Sequence, residues 1–217
     1  MSQGAFRRAR RPEQKQERRE AILAAARDLA MRSGVRAVSL GDIAAAVSLA
    51  KSNVVRYFGT REEIYLELTA QCWREWEEVV LDRLADAGGP GDVIDVLVET
   101  IEERPLFCDL MTECTTTLEH NVSLASARAF KLDAIRVAAN VGAAVARVFP
   151  GLSESEGVEL VGAAGVLAGT IYPMANPPSV LVELYEQEPD VAAFRLPFGP
   201  TMKRMLSAIA AGLPTLR

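Results

Sequence analysis

The sequence is poor in the residues from which most enzymes build their chemistry. It has one histidine and three cysteines in 217 residues, and aromatic residues make up only 6%. Cys72, Cys108 and Cys114 make no even disulfide framework, which fits a reducing, cytoplasmic setting. Cys108, Cys114 and His120 follow at intervals of six, a spacing that scatters them around a helix instead of gathering them as metal ligands. No basic flank marks a thiol for redox sensing. There is no glycine-rich phosphate loop after a strand and no nucleophile motif, so neither an enzyme nor a cofactor is expected. No run alternates in the manner of a strand. The early apolar run "AILAAA" is broken by Arg27 and Asp28 and makes a poor secretion signal. Residues 160–182 lack charge, but Pro173, Pro177, Pro178 and several glycines make them a buried interface helix and loop in preference to a membrane span.

What remains is an apolar, alanine-rich chain. Hydrophobic residues make up 49%, enough for a sizeable core. Its alanine-containing segments without β-branched runs predict an all-α fold. The net charge of −5 conceals an asymmetry: residues 1–61 hold 13 Lys/Arg against 5 Asp/Glu, and residues 62–217 hold 11 against 24. A basic head on an acidic body points to a polyanion met by the head alone, although a merely charged, disordered tail has the same composition.

Residues 1–14, with Arg7, Arg8, Arg10 and Arg11, read as a basic arm, disordered when free. Helical spacing then places a first helix from about 15 to 33, ended by Gly34. Ser39 with Asp42 predicts a capping box, and Val38 with Ile43 a hydrophobic staple, for a short second helix. The turn Val47-Ser48-Leu49 leads to a third helix over about 50–58, with Val54 and Phe58 inward. Gly59 stops it, and Thr60 with Glu63 starts a long fourth helix. The three short helices make a helix-turn-helix unit. The predicted domains are therefore the arm (1–14), a DNA-binding head (15–60) and a helical body (61–217).

The third helix carries the chemistry. Lys51 and Arg56 suit guanine edges, Asn53 suits adenine, and Val55 suits a thymine methyl. Tyr57, Thr60 and Arg61 stand at the helix exit, placed for phosphates, and Ser39 and Ser52 complete the candidate DNA-contacting set. A three-helix bundle with a solvated polar face is the alternative reading of the same pattern.

From Ile22 to about Leu68, "AILAAARDLAMRSG" and "VSLGDIAAAVSLAKSNVVRYFGTREEIYLEL" resemble the DNA-binding head of the tetracycline-repressor (TetR) family of bacterial transcription regulators. The chain departs from that pattern at Ser48, Ala50, Ser52 and Val55, where the family commonly has Gly, Ser, Gly and Tyr. The resemblance implies phosphate contacts by Tyr57 and Arg61, and it shifts base readout onto Lys51, Asn53 and Arg56. It further implies that the C-terminal helices form a homodimer interface and enclose a small-molecule pocket. A dimer would read a palindromic operator on double-stranded DNA.

The body agrees in part. In "VGAAGVLAGTIY", Gly162, Gly165 and Gly169 with Ala163 and Ala168 permit close helix approach, which serves a two-fold seam with the last helix or internal packing. Trp73, Trp76, Phe107, Cys108, Met111, Thr115, Asn140 and Tyr172 mix apolar walls with a few polar atoms, as a pocket for a mainly apolar ligand does; each also suits plain core. The expected function is a ligand-responsive transcriptional regulator, a repressor released from its operator by a small molecule. The alternative is a helical DNA-binding adaptor or architectural protein without an inducer, which a filled core in the body would favour.

Overall fold

The computed structural model describes residues 3–217, with side chains from residue 13 onward except that of Thr115. Eleven α-helices and three short turns of other helix types follow one another, with no strand among the described residues. Helix α1 runs Gln3–Ser33, so the backbone of residues 3–14 continues it where the sequence predicts a disordered arm. Ala, Arg, Gln and Glu dominate this stretch, and adding such residues to an existing helix avoids the cost of nucleation. Met1 and Ser2 lie outside the described residues.

The head is closed by α2 (Leu40–Ala46) and α3 (Lys51–Val55). The predicted capping box is present: the Ser39 hydroxyl accepts from the Asp42 N–H, and the Asp42 carboxylate accepts from the Ser39 N–H. Val38, Ile43, Val54 and Phe58 pack with Ile22 and Ala26 of α1 in one buried cluster. Ser48, in the turn between α2 and α3, has φ +52°, the left-handed region in which glycine is unstrained. That geometry is a physical reason for the family's glycine near this position.

Helix α4 (Arg61–Ala85) carries the chain from head to body. There it packs against α5 (Pro90–Glu102), α6 (Pro105–Glu113) and α7 (Leu124–Val148), and α6 and α7 in turn carry α8 (Glu154–Ala175). A single π-type turn, Cys114–Leu118, follows α6. Helices α7 and α8 cross at Gly142 and Gly157, where a Cβ on Gly142 would sit 2.6 Å from the Val158 nitrogen. Only glycine permits backbones to come so close. Helix α8 is long and apolar enough to cross a membrane by length and composition; here α6, α7 and α11 (Phe198–Gly212) pack against it. Between α8 and α11 lie two short helices, α9 (Ser179–Gln187) and α10 (Pro189–Ala192), and neither buries a residue.

Candidate DNA face, ligand cleft and the latch between them

The five residues of α3 divide by environment. Val54 is fully buried and Phe58, just beyond the helix, nearly so, while Lys51, Ser52, Asn53, Val55 and Arg56 are exposed. The apolar pair anchors the helix and turns its polar face outward. Lys51 lies across Gly41, which has no side chain to block it. Asn53, Arg56 and Tyr57 line a trough of about 430 Å³ with Lys15 and Arg18 of α1. Arg18 was not among the sequence candidates; its place three residues after Lys15 on one helix face is the signal that finds it. Hydrogen-bond donors and cations therefore converge on one exposed surface, the chemistry that base edges and phosphates require.

Three predicted DNA contacts are occupied elsewhere. Arg61 folds inward: its Nε donates to the Val38 carbonyl at 2.5 Å, another guanidinium nitrogen donates to the Val35 carbonyl, and the group stacks on Tyr65. It ties α4 to the head, and its side chain is only 15% exposed. A guanidinium at a helix start reaches whichever acceptor the fold brings near, and here that is the backbone after α1. The Thr60 hydroxyl accepts from the Glu63 N–H and gives its one proton to the Asn121 carbonyl at 2.8 Å. The Ser39 hydroxyl gives its proton to Asp42 at 2.6 Å. Neither retains a donor for phosphate.

Glu63 performs a task its sequence position does not announce. Its carboxylate does not return to Thr60 to complete a capping box. One oxygen accepts from the Gly59 N–H at 2.9 Å, and the other accepts from the Ser123 N–H at 2.8 Å. Partial burial opposes ionisation, but hydrogen bonds from Ser123, Gly59 and Ser126 outweigh it and hold the carboxyl down at about 2. Nearby, the Asn121 side chain donates to Glu62 at 3.2 Å. The end of the DNA-reading segment and the start of α7 thus share one anionic clamp.

Helix α7 forms a wall of the body's main apolar cleft, which has a volume of about 610 Å³. Phe130 and Ile135 line one side, Gly165, Val166 and Gly169 of α8 the other, and Trp73 and Met111 the floor. Trp73 stands edge-on to Trp76 and Phe107, with ring centroids 5.4 and 5.0 Å away. The cleft's polar groups are four threonines, Thr69, Thr112, Thr116 and Thr170, and the Lys131–Glu119 ion pair at 2.7 Å. Two of the three α8 glycines, Gly165 and Gly169, serve internal packing here, while Gly162 meets no side chain. A Cβ on Gly165 would lie 3.2 Å from the Trp73 ring, and one on Gly169 would lie 3.0 Å from the Met111 carbonyl. They let α8 settle onto α4 and α6, and Ala168 is fully buried beside them.

Of the residues predicted to bind ligand, Trp73 and Met111 line this cleft. Trp76 is fully buried behind them and donates its indole N–H to Thr100 at 2.9 Å. Cys108 is core, its thiol donating to the Ile101 carbonyl. Asn140 is on the surface, donating to Glu77 at 2.7 Å. Phe107 and Tyr172 border a separate recess of about 570 Å³ against α1. The side chain of Thr115 lies outside the described residues. Sequence reasoning missed Phe130, Ile135 and Val166, whose helical spacing is that of ordinary core; the cleft appears only once α7 and α8 are placed together. Burial pushes the thiols of Cys72, Cys108 and Cys114 up to about 11, 12 and 12, which leaves them inert at neutral pH.

A family model described as bacterial regulatory proteins, tetR family, matches residues 22–68, and one described as tetracyclin repressor-like, C-terminal domain, matches residues 70–217. No curated protein matches the chain. The crystal structure of the multidrug binding protein EbrR complexed with imidazole is 17% identical, covers 88% of this chain and 94% of its own, and superposes with a TM-score of 0.56. That likeness is one of fold. FadR of Thermus thermophilus in complex with lauroyl-CoA is 19% identical over 90% of this chain and 92% of its own, with a TM-score of 0.49. The crystal structure of a "putative TetR-family transcriptional regulator" from Mesorhizobium loti is 12% identical over 93% of this chain and 97% of its own, also with a TM-score of 0.49.

Proposed function

The chain belongs to the tetR family of bacterial regulatory proteins and is a transcriptional regulator; on that premise we propose that it is a homodimeric repressor, released from a palindromic operator when a mainly apolar small molecule enters the α7–α8 cleft. The observation that carries this reading is the Glu63 clamp, because it joins the DNA-reading segment at Gly59 to Ser123, the N-cap of the helix that further along walls the cleft. In this reading Asn53 and Arg56 read bases, with Lys51 swinging off Gly41 to join them, while Tyr57, Lys15 and Arg18 hold phosphates. Ligand parts α7 from α8, Ser123 and Asn121 shift against Glu63 and Thr60, and the two heads lose the separation one operator needs. The ligand acts only through its higher affinity for the parted state. The outward residues Val166, Met174 and Met205 of α8 and α11 support a two-fold contact there. The open cleft favours this reading over an adaptor without an inducer, whose body would be filled.

The test uses the full-length protein and labelled DNA flanking its own gene, against random DNA across a salt series. Specific, salt-sensitive binding is expected. A small apolar compound that alters Trp73 emission should then release the DNA. Sequence-blind binding would favour the adaptor, and altered emission with DNA binding unchanged or tightened would overturn the release mechanism.

A further inference from the structure

The recess of about 570 Å³ between head and body belongs to neither the DNA face nor the cleft. Helices α1, α4, α6 and α8 all contribute to it, and Met31, Cys72, Phe107 and Tyr172 supply apolar wall. Its size is that of a small-molecule site. No residue lines both the recess and the cleft. The edge-on pair of Phe107 and Trp73 separates them, Phe107 lining the recess and Trp73 the cleft.

Five charged side chains line the recess, and four of them balance one another. Arg27 gives Glu75 two hydrogen bonds, at 2.6 and 3.0 Å. Arg104 donates to the Thr100 carbonyl at 2.6 Å and lies 3.9 Å from Glu103. Asp109 is left over. It makes no ion pair among the described residues, and its hydrogen bond comes from the Val35 N–H at 2.6 Å. Burial raises its carboxyl above the ordinary value, against the pull of that N–H, and Glu113 adds to the rise. A carboxylate in this position gains from a cation brought into contact with it. The Tyr172 hydroxyl makes no hydrogen bond among the described residues. Burial raises it too, and Cys108 and Asp109 add to the rise, so the phenol stands in the field of the same carboxylate. The Tyr172 ring is held edge-on by Phe198, with centroids 5.9 Å apart.

The recess also reaches the joint between head and body. Gly34, which ends α1 with φ +82°, lines it. The next peptide group is gripped from two sides: the Val35 N–H goes to Asp109 of α6, and the Val35 carbonyl goes to Arg61 of α4. An occupant that engages Asp109 therefore acts on this joint without entering the cleft.

We propose that the recess is a second ligand site, which takes a small organic amine and braces the head against the body. The ammonium donates to the Asp109 oxygen that Val35 leaves free and to the Tyr172 hydroxyl oxygen. The apolar part of the amine lies along Met31 and Phe107. Asp109 keeps its bond to Val35, so the occupant favours the head orientation seen here. The site is independent of the release mechanism proposed above, and its test uses no DNA.

The test is calorimetric titration of the full-length protein at pH 7 with 2-phenylethylamine. One amine should bind per chain, and its uncharged counterpart 2-phenylethanol should bind roughly 10–100-fold more weakly. Asp109→Asn keeps an acceptor for the Val35 N–H but removes the charge, and should weaken the amine by the same factor. Tyr172→Phe keeps the ring stack and should weaken it roughly 3–10-fold. Val166→Trp obstructs the cleft and should leave amine binding unchanged. Bound amine should also slow amide exchange at Val35. If Asp109→Asn loses helicity, the alcohol and Tyr172→Phe decide in its place. No binding to the wild type, equal binding of amine and alcohol, or binding abolished by Val166→Trp overturns the proposal; none of these touches the reading of the cleft as the site that controls DNA release.

Discussion

Helices α3 and α9 are both short and both exposed, and they are held in opposite ways. Helix α3 has five residues and is pinned by Val54 and Phe58, so its outward face is polar and fixed in direction. Helix α9 has nine residues, buries none, and its outward residues include Val180, Leu181, Val182 and Leu184. An exposed polar helix on apolar anchors presents itself to a partner that supplies charge and hydrogen bonds. An exposed apolar helix with no anchor needs a partner that removes it from water. Exposure alone therefore says little; what lies beneath the helix distinguishes a reading head from an uncovered arm.

Four measurements break or sharpen that contrast. The largest effect is expected at an anchor. Phe58→Ala should lower unfolding free energy by about 3–5 kcal/mol in urea titration, whereas Leu184→Ala should change the intrinsic stability of the chain by less than about 0.5 kcal/mol. Comparable losses at both positions would mean that α9 is covered within its own chain. On the polar face, Asn53→Ala should cost about 1–3 kcal/mol on the cognate operator and relax one base position. Tyr57→Phe should weaken all sequences alike; equal behaviour of the two variants on cognate and random DNA would refute the division between base and phosphate contacts.

The third measurement concerns the clamp behind α3. The folded carboxyl of Glu63 is depressed, to about 2. Its stabilisation is therefore complete above the ordinary carboxylate value, near 4.5, and is lost as pH falls toward 2. Glu63→Gln should cost about 1 kcal/mol at pH 7 and remove part of the wild type's acid sensitivity between pH 4.5 and 2. Acid unfolding profiles that superimpose would dismiss the clamp. The smallest effect lies in the turn before α3. Ser48→Gly should stabilise the head by about 0.5 kcal/mol, because glycine accepts φ +52° without strain. A melting temperature lower than wild type would show that another contact of Ser48 outweighs the backbone.

The sequence by itself determined the helical class and the helix-turn-helix pattern of the head. Capping residues and apolar spacing are local signals, so Ser39-Asp42 and Thr60 marked helix starts that the structure has at those places. Val54 and Phe58 were legible as anchors because residues four apart share a face at the end of α3. Tertiary structure alone decided where long polar side chains and small residues are used. Arg61 reaches carbonyls 23 and 26 residues away in the chain, and Glu63 reaches Ser123, 60 residues away. Gly165 and Gly169 serve the cleft because Trp73 and Met111 happen to lie across from them. Periodicity reports which face of a helix turns inward; it carries no information about which distant element is waiting there, and the clamp, the cleft and the uncovered arm all depend on that.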